Sequence, residues 1–190
     1  LFGGDGADEL LGGYPCYHEN RRINSSLFSP SPYSTLAETS IEFKKDDSKI
    51  LKDELSSAWD YALNVYKHVE DPIEQMVQAM MYIDFTRFLP SVGLRGSDLM
   101  SLMWNIETRN IFIRRPVVKF ALNLPVWAKS NDKKDVKSVM RAKPILKNLF
   151  LRLYPEELLV EKQGFAGFPN ESADYIGNVL DYMTVDYLGI

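Results

Sequence analysis

The 190-residue sequence holds one cysteine, Cys16, which excludes an internal disulfide and a cysteine-built zinc site. Its two histidines, His18 and His68, are too few and too scattered for a histidine metal centre. No apolar run approaches the ~18 residues that a membrane-spanning helix needs. A signal peptide is not expected from the first residues. Cationic residues are not in excess: 22 Lys and Arg stand against 26 Asp and Glu, a net charge of −4, which argues against nucleic-acid binding. Internal repeats are absent, and no alternation of apolar and polar residues is sustained enough to mark a sheet. What is present is 45% hydrophobic and 12% aromatic content, which excludes a disordered chain and suffices for a buried core. The expectation is a soluble, cytoplasmic protein, one domain or part of one, with neither nucleic acid nor membrane as partner.

The first residues are Leu1-Phe2-Gly3-Gly4-Asp5, without Met. Two apolar residues running into glycines read as a strand's end entering a turn, so more chain is expected upstream. Residues 3–13 form a Gly/acid turn into a short helix, and the Ser/Pro stretch 25–34 reads as a loop. Asp46-Asp47-Ser48 offers N-cap chemistry for a helix whose apolar residues are Leu51, Leu55, Ala58, Trp59, Ala62 and Tyr66. Asp71-Pro72 starts another, a cap with Pro at the first helical position. Its stripe is Ile73, Met76, Val77 and Met80, and Leu89-Pro90 is expected to end it. Further helices are expected over 98–105, 116–124, 136–153 and 172–187, with Pro144 near a helix start or at a kink. Residues 127–135 and 163–171 read as loops, and Pro155-Glu156-Glu157 as a short capped turn.

Four groups of residues could carry chemistry. The densest is Gly3-Gly4-Asp5-Gly6-Ala7-Asp8-Glu9-Leu10-Leu11-Gly12-Gly13-Tyr14. Glycines let a ligand approach the backbone, and carboxylates this close together can hold Mg²⁺ with phosphate oxygens. The competing reading is a solvated, capped turn. Lys162, beside Gln163-Gly164-Phe165, could clamp a phosphate, or be a surface lysine. Glu107 and Arg109 could be a structural ion pair. Lys143 and Lys147 lie one helical turn apart and could form a solvated basic face. Met76, Met80, Met81, Met100 and Met103 are expected to fill the core. Cys16 has no partner base and is not expected to be a nucleophile.

Taken in order, GDGADELLGGY at 4–14, LP at 89–90, ETRNIFI at 107–113, LNLP at 122–125 and YPEELLVEKQGF at 154–165 resemble the synthetase domain of glutamine-dependent asparagine synthetases. The resemblance spans about residues 1–169, and its first and last motifs are the specific ones. It implies that the whole chain, 1–190, is the mainly α, helical C-terminal portion of one α/β domain. That domain is a pyrophosphate-loop ATPase (adenine nucleotide alpha-hydrolase-like), with the upstream sheet missing here. It further implies ATP and Mg²⁺ as cofactors, adenylation of the aspartate side-chain carboxylate, and amidation by glutamine-derived ammonia to give asparagine. By this likeness Gly3, Gly4, Gly6 and Glu9 lie at the nucleotide, and Asp8 holds Mg²⁺ with pyrophosphate. Asp5 is tied to formation and aminolysis of the acyl-adenylate. Lys162 contacts the phosphates, Glu107 and Arg109 match a Glu-x-Arg, and Lys143 and Lys147 match a Lys-x-x-x-Arg helix.

The sequence departs from that pattern in places. Gly3 stands where Ser is usual, Ile111 and Arg114 where Pro and Asp are frequent, Ser91-Val92 where acids are common, and Gly96 where Lys is. These changes bear on the acceptor carboxylate, so ligases of the same fold that close lactam or macrolactam rings, or amidate sugar acids, remain alternatives. So does a non-catalytic helical scaffold. The family's Ser-Gly-Gly-x-Asp-Ser phosphate loop and its glutaminase cysteine are absent from these residues. An upstream phosphate-loop half and a glutaminase domain are therefore the expected partners. The fragment alone is expected to be inactive and to self-associate through exposed apolar surface.

Overall fold

The computed structural model describes residues 1–19, 45–131 and 137–160. Expected features at 20–44, 132–136 and 161–190, including the loop at 25–34, Lys162 and the helix at 172–187, lie outside the described residues. The described part is mainly helical, with a single two-stranded parallel pair. Strand β1 (Phe2–Gly3) runs into the Gly/acid turn, as its sequence suggests, and pairs with β2 (Arg109–Asn110) in the register Phe2–Arg109 and Gly3–Asn110. β2 has no counterpart in the sequence reading, because two residues are too few to show alternation.

Helix α1 (Ala7–Leu11) follows the turn, and α2 (Pro15–Glu19) comes directly after it. Helix α3 (Lys45–Val65) begins one residue before Asp46, which places the expected capping acids inside its first turn. Helix α4 (Pro72–Ile83) begins as expected: Asp71 Oδ1 accepts from the backbone N–H groups of Ile73 at 2.8 Å and Glu74 at 3.4 Å. The second half of α4 is buried nearly all round, at Val77, Gln78, Ala79, Met80, Met81 and Ile83. That is the signature of a helix packed on more than one side. Ala62 and Trp59 of α3 cover Ala79 and Ile83 on one face. Tyr17 and Val126 cover Val77, Met80 and Met81 on another.

Pro90 does not end this helix. The chain passes at Asp84 into a π-helical segment, Asp84–Leu94, and then into α5 (Arg95–Leu102). The wider π turn is compatible with a residue that donates no N–H and whose ring would strike a carbonyl in a tighter α turn. Hydroxyls take up carbonyls along the way: Thr86 Oγ1 donates to Tyr82 O at 2.7 Å and Ser91 Oγ to Arg87 O at 2.7 Å. On α5 and the turn after it, Met100 and Met103 are 64% and 74% exposed, so they do not fill the core as expected; Met80 and Met81 do.

Helix α6 (Arg115–Leu122) sets Ala121 against Leu10 and Leu11 of α1. Next, α7 (Val126–Lys129) occupies the start of the expected surface loop, with Lys129 and Ser130 buried. An antiparallel bridge joins Ser130 to Ala142. The expected helix over 136–153 is instead a 3₁₀ turn (Ser138–Met140) followed by α8 (Pro144–Leu153), which Pro144 starts. A second 3₁₀ turn, Glu156–Leu158, follows Pro155 as expected. All described residues belong to one compact unit, Leu1–Val160. Among them no helix is long and apolar enough to cross a membrane.

Candidate active site

The Gly/acid turn is built by its caps. Gly6 precedes α1 at φ 90°, and Gly12 closes it at φ 70°; L-residues rarely adopt either conformation. At Gly12 an added Cβ would also lie 2.6 Å from the Lys129 carbonyl oxygen. Leu10 and Leu11 anchor one side of α1 in the core, which leaves Asp5 and Asp8 at half-buried positions.

Asp8 receives Lys143. The Nζ–Oδ1 distance is 2.9 Å, and the two side chains are 28% and 21% exposed. Lys143 comes from 135 residues further along the chain, and its position is fixed locally. The Ser130–Ala142 bridge, with Asn131 N–H donating to Arg141 O at 2.9 Å, holds the residues before it. Lys143 then takes φ 51° before Pro144 starts α8. A non-glycine residue in that conformation costs about 1–3 kcal/mol, and such residues concentrate at functional sites. Lys147, one turn later, donates instead to the Val139 carbonyl. The two lysines therefore serve different partners and do not form one solvated face.

Asp5 accepts from Ser97 Oγ at 2.6 Å. That hydroxyl belongs to α5, so the carboxylate is tied to the helix that continues the π segment. Glu9 is buried and accepts from Tyr14 OH at 2.8 Å. Burial, reinforced by Glu9, pushes the Tyr14 phenol far above its ordinary range, so it stays protonated and a donor. Behind it Tyr17 OH donates to Asp84 Oδ2 at 2.6 Å, with both residues fully buried; burial, then Asp84, pushes this phenol up as well. Gln78 bridges α4 to α7, its Nε2 donating to Leu124 O at 2.8 Å and its Oε1 accepting from Lys129 Nζ at 2.7 Å. Burial alone lowers the Lys129 ammonium to about 7.

Of the expected site residues, the structure therefore gathers Gly3, Gly4, Asp5, Gly6, Asp8 and Lys143 around one turn. Glu9 is sealed behind that turn and does not face an open space. Glu107 and Arg109 pair with each other at 2.7 Å, 74% and 64% exposed. They join the site through the backbone, where Arg109 N–H donates to Leu1 O at 2.8 Å, next to Gly3. Ser97, Tyr17, Asp84 and Lys129 escaped the sequence reading, and Tyr14 entered it only as the last residue of the Gly/acid motif. For Asp84 a signal existed: an acid framed by Ile83 and Phe85 inside an apolar helix.

The asparagine synthase family matches residues 1–184. The chain belongs to the asparagine synthase family. It is 23% identical over 176 residues to the protein named "Asparagine synthetase [glutamine-hydrolyzing] 3" of Bacillus subtilis (strain 168). That alignment covers 84% of this chain and 25% of the relative, so the chain spans about a quarter of the length of the curated relative it matches. No solved structure matches it.

Among the described residues no group of three or more His, Cys, Asp or Glu side chains could hold a metal. Mg²⁺ asks for less than such a group, since it is ordinarily held by one or two carboxylates, with substrate phosphates and water completing its shell. Asp8, half-buried, with Asp5 three residues before it, offers such carboxylates.

Proposed function

We propose that this chain is the C-terminal portion of one synthetase domain of the pyrophosphate-loop ATPase type. In this reading it takes part in ATP-dependent amidation of the aspartate side-chain carboxylate. The observation that supports this most is the Asp8–Lys143 pair in the Gly/acid turn of a chain belonging to this family. In this reading a carboxylate oxygen of the acceptor attacks the α-phosphorus of ATP and pyrophosphate leaves. Ammonia then attacks the acyl carbon of the acyl-adenylate, AMP leaves, and the nitrogen loses a proton to a base.

Negative charge builds on the leaving pyrophosphate, and fixed cations oppose it most usefully in the transition state. Asp8 would hold Mg²⁺, whose role when bound is to polarise phosphate oxygens and neutralise that charge. Lys143 turns from Asp8 to the phosphates as they arrive, while Lys147 and Lys162 add positive charge. Gly3, Gly4 and Gly6 leave room for the nucleotide. Glu9 holds the turn through Tyr14. Asp5 is the base for the attacking nitrogen, with Ser97 fixing its orientation. The phosphate loop and the glutaminase that supplies ammonia belong to chain outside these residues, and the whole enzyme acts in the cytoplasm.

Product analysis on the full-length protein tests this reading. Supplied with aspartate, ATP, Mg²⁺ and ammonia, it forms asparagine, AMP and pyrophosphate in equal amounts. Lys162→Ala lowers that rate by orders of magnitude. Pyrophosphate release without asparagine would instead favour a same-fold ligase with another acceptor. No release at all would favour the scaffold.

A further inference from the structure

Asn110 stands beside the Gly/acid turn and takes no part in the pairs around Asp5 and Asp8. It is the last residue of β2, in register with Gly3, the last residue of β1. The strands are parallel, so both residues lie at the carboxyl edge, the edge at which α/β proteins bind their ligands. Ladder bonds hold the chain on either side of Asn110: Arg109 N–H donates to Leu1 O at 2.8 Å and Ile111 N–H to Gly3 O at 3.4 Å. The half-buried side chain folds over Gly3, where an added Cβ would fall on Asn110 Oδ1 and lie 3.2 Å from Thr108 Cγ2. The glycine hydrogen in that direction therefore points at the amide oxygen, a weak C–H···O contact. The oxygen is buried and accepts no hydrogen bond. At Gly4, one residue on, an added Cβ would meet nothing within 4 Å.

A buried acceptor without a donor is costly to keep, so it calls for a cause. The two ends of a planar amide point opposite ways. With the carbonyl turned in on Gly3, the amino group and its two N–H donors turn out. Two uncharged donors at an edge beside open space suit an anionic oxygen. Asp8 and Lys143 lie further along the same turn, on the side assigned above to pyrophosphate, and Asp5, assigned to the acyl group, precedes them. We propose that Asn110 is a nucleotide-binding residue, its Nδ2 donating to a non-bridging oxygen of the α-phosphoryl group. Gly3 lacks a side chain so that this amide can lie across it. A neutral donor holds the phosphoryl group without competing with Asp8 for a cation. The inference rests on the adenylation reading for the nucleotide, and on the packing of Asn110 for the residue that meets it.

The test is calorimetric titration of the full-length protein with AMP and with adenosine, which lacks the phosphoryl group. Asn110→Asp keeps the size of the side chain and an oxygen over Gly3 but removes both donors. It should weaken AMP at least about tenfold and leave adenosine unchanged. Asn110→Ala, which adds no charge, should show the same selectivity. Gly3→Ala displaces only the end of a flexible side chain, so the fold should persist while the amide is pushed aside. Its effect should be the same loss, so that Gly3→Ala with Asn110→Ala binds AMP no more weakly than Asn110→Ala alone. Thermal unfolding of each variant accompanies the titrations, since a merely structural role would lower stability and weaken both ligands together. Unchanged AMP binding in Asn110→Asp and Asn110→Ala, equal weakening of AMP and adenosine, or losses at Gly3 and Asn110 that add in full would each overturn the proposal and leave the nucleotide reading standing. No binding of AMP or of ATP with Mg²⁺ by the unaltered protein would overturn both.

Discussion

The two sides of α1 use the same residue types in opposite surroundings. On the open side, Asp5 and Asp8 are half-buried, and their partners are the Ser97 hydroxyl and the Lys143 ammonium, itself only partly buried. On the sealed side, Glu9 and Asp84 are enclosed and held by Tyr14 and Tyr17, while Lys129 is buried against Gln78. A carboxylate in partial contact with water can exchange one cation for another at small cost. One enclosed with its donor cannot, because the partner left behind would stay buried and unpaired. The open side is therefore suited to ligand chemistry, and the sealed side to holding α1, α4 and α7 in place.

The largest effect that could break this comparison is on activity. Asp8→Asn removes the charge that pairs with Lys143 and that, in the proposed reading, would hold Mg²⁺, and pyrophosphate release in the full-length protein should fall by orders of magnitude. Stability should fall by about 1 kcal/mol or less, as for other solvent-accessible pairs. A large loss of stability would move Asp8 to the sealed side. An unchanged rate would remove it from the chemistry.

On the sealed side the order reverses. Tyr17→Phe keeps the ring in the core but withdraws the hydroxyl from Asp84. Losing a hydrogen bond to a buried charged group costs about 2 kcal/mol, read as a lower denaturation midpoint. Activity measured well below that midpoint should change little.

Legibility in the sequence divides along the same line. Asp71-Pro72 announced α4, and the glycines announced the turn, because caps and left-handed residues act through their immediate neighbours. The π segment was hidden, since Pro90 ordinarily breaks a helix and only the geometry reveals a widened turn. Lys129 was hidden too: a Trp-Ala-Lys-Ser stretch looks solvent-exposed until α1 and α4 close over it. Lys143 and Asp8 were each visible as candidates through their resemblance to a family. Nothing in either segment shows that they meet, because the contact is made by the Ser130–Ala142 bridge and the φ of Lys143.

Lys129 sharpens the comparison through pH. Its folded value of about 7 lies below the ordinary 10.5, so between these two the unfolded chain binds the extra proton. The burial penalty is full below about pH 7, shrinks as pH rises, and is gone above pH 10.5. Stability should thus rise across that window by a few kcal/mol at most. In Lys129→Met, which keeps the length of the side chain, that rise should disappear, leaving a constant offset for the unpaired Gln78 oxygen. Parallel pH curves for the two proteins would mean that Lys129 is solvated after all.

The smallest effect concerns Ser97, which ties Asp5 to the helix after the π segment. Its single hydroxyl proton is directed to Asp5 at 2.6 Å, with Gly93 O a more distant acceptor at 3.0 Å. Asp5 is partly exposed, so in Ser97→Ala water can replace the lost donor, and the stability cost should stay below about 1 kcal/mol. What water cannot replace is a fixed direction. In the proposed reading, where Asp5 is the base, a base that wanders from the attacking nitrogen lowers kcat for amide formation by an expected factor of about 2–10 and leaves KM for ATP unaffected. Ser97→Thr retains the hydroxyl and should restore most of the rate. If Ala and Thr are equally impaired, the space around Ser97 matters and its hydroxyl does not, and Asp5 is not held through it. If neither is impaired, Asp5 needs no positioning, and the open side of the turn reduces to Asp8 and its lysine.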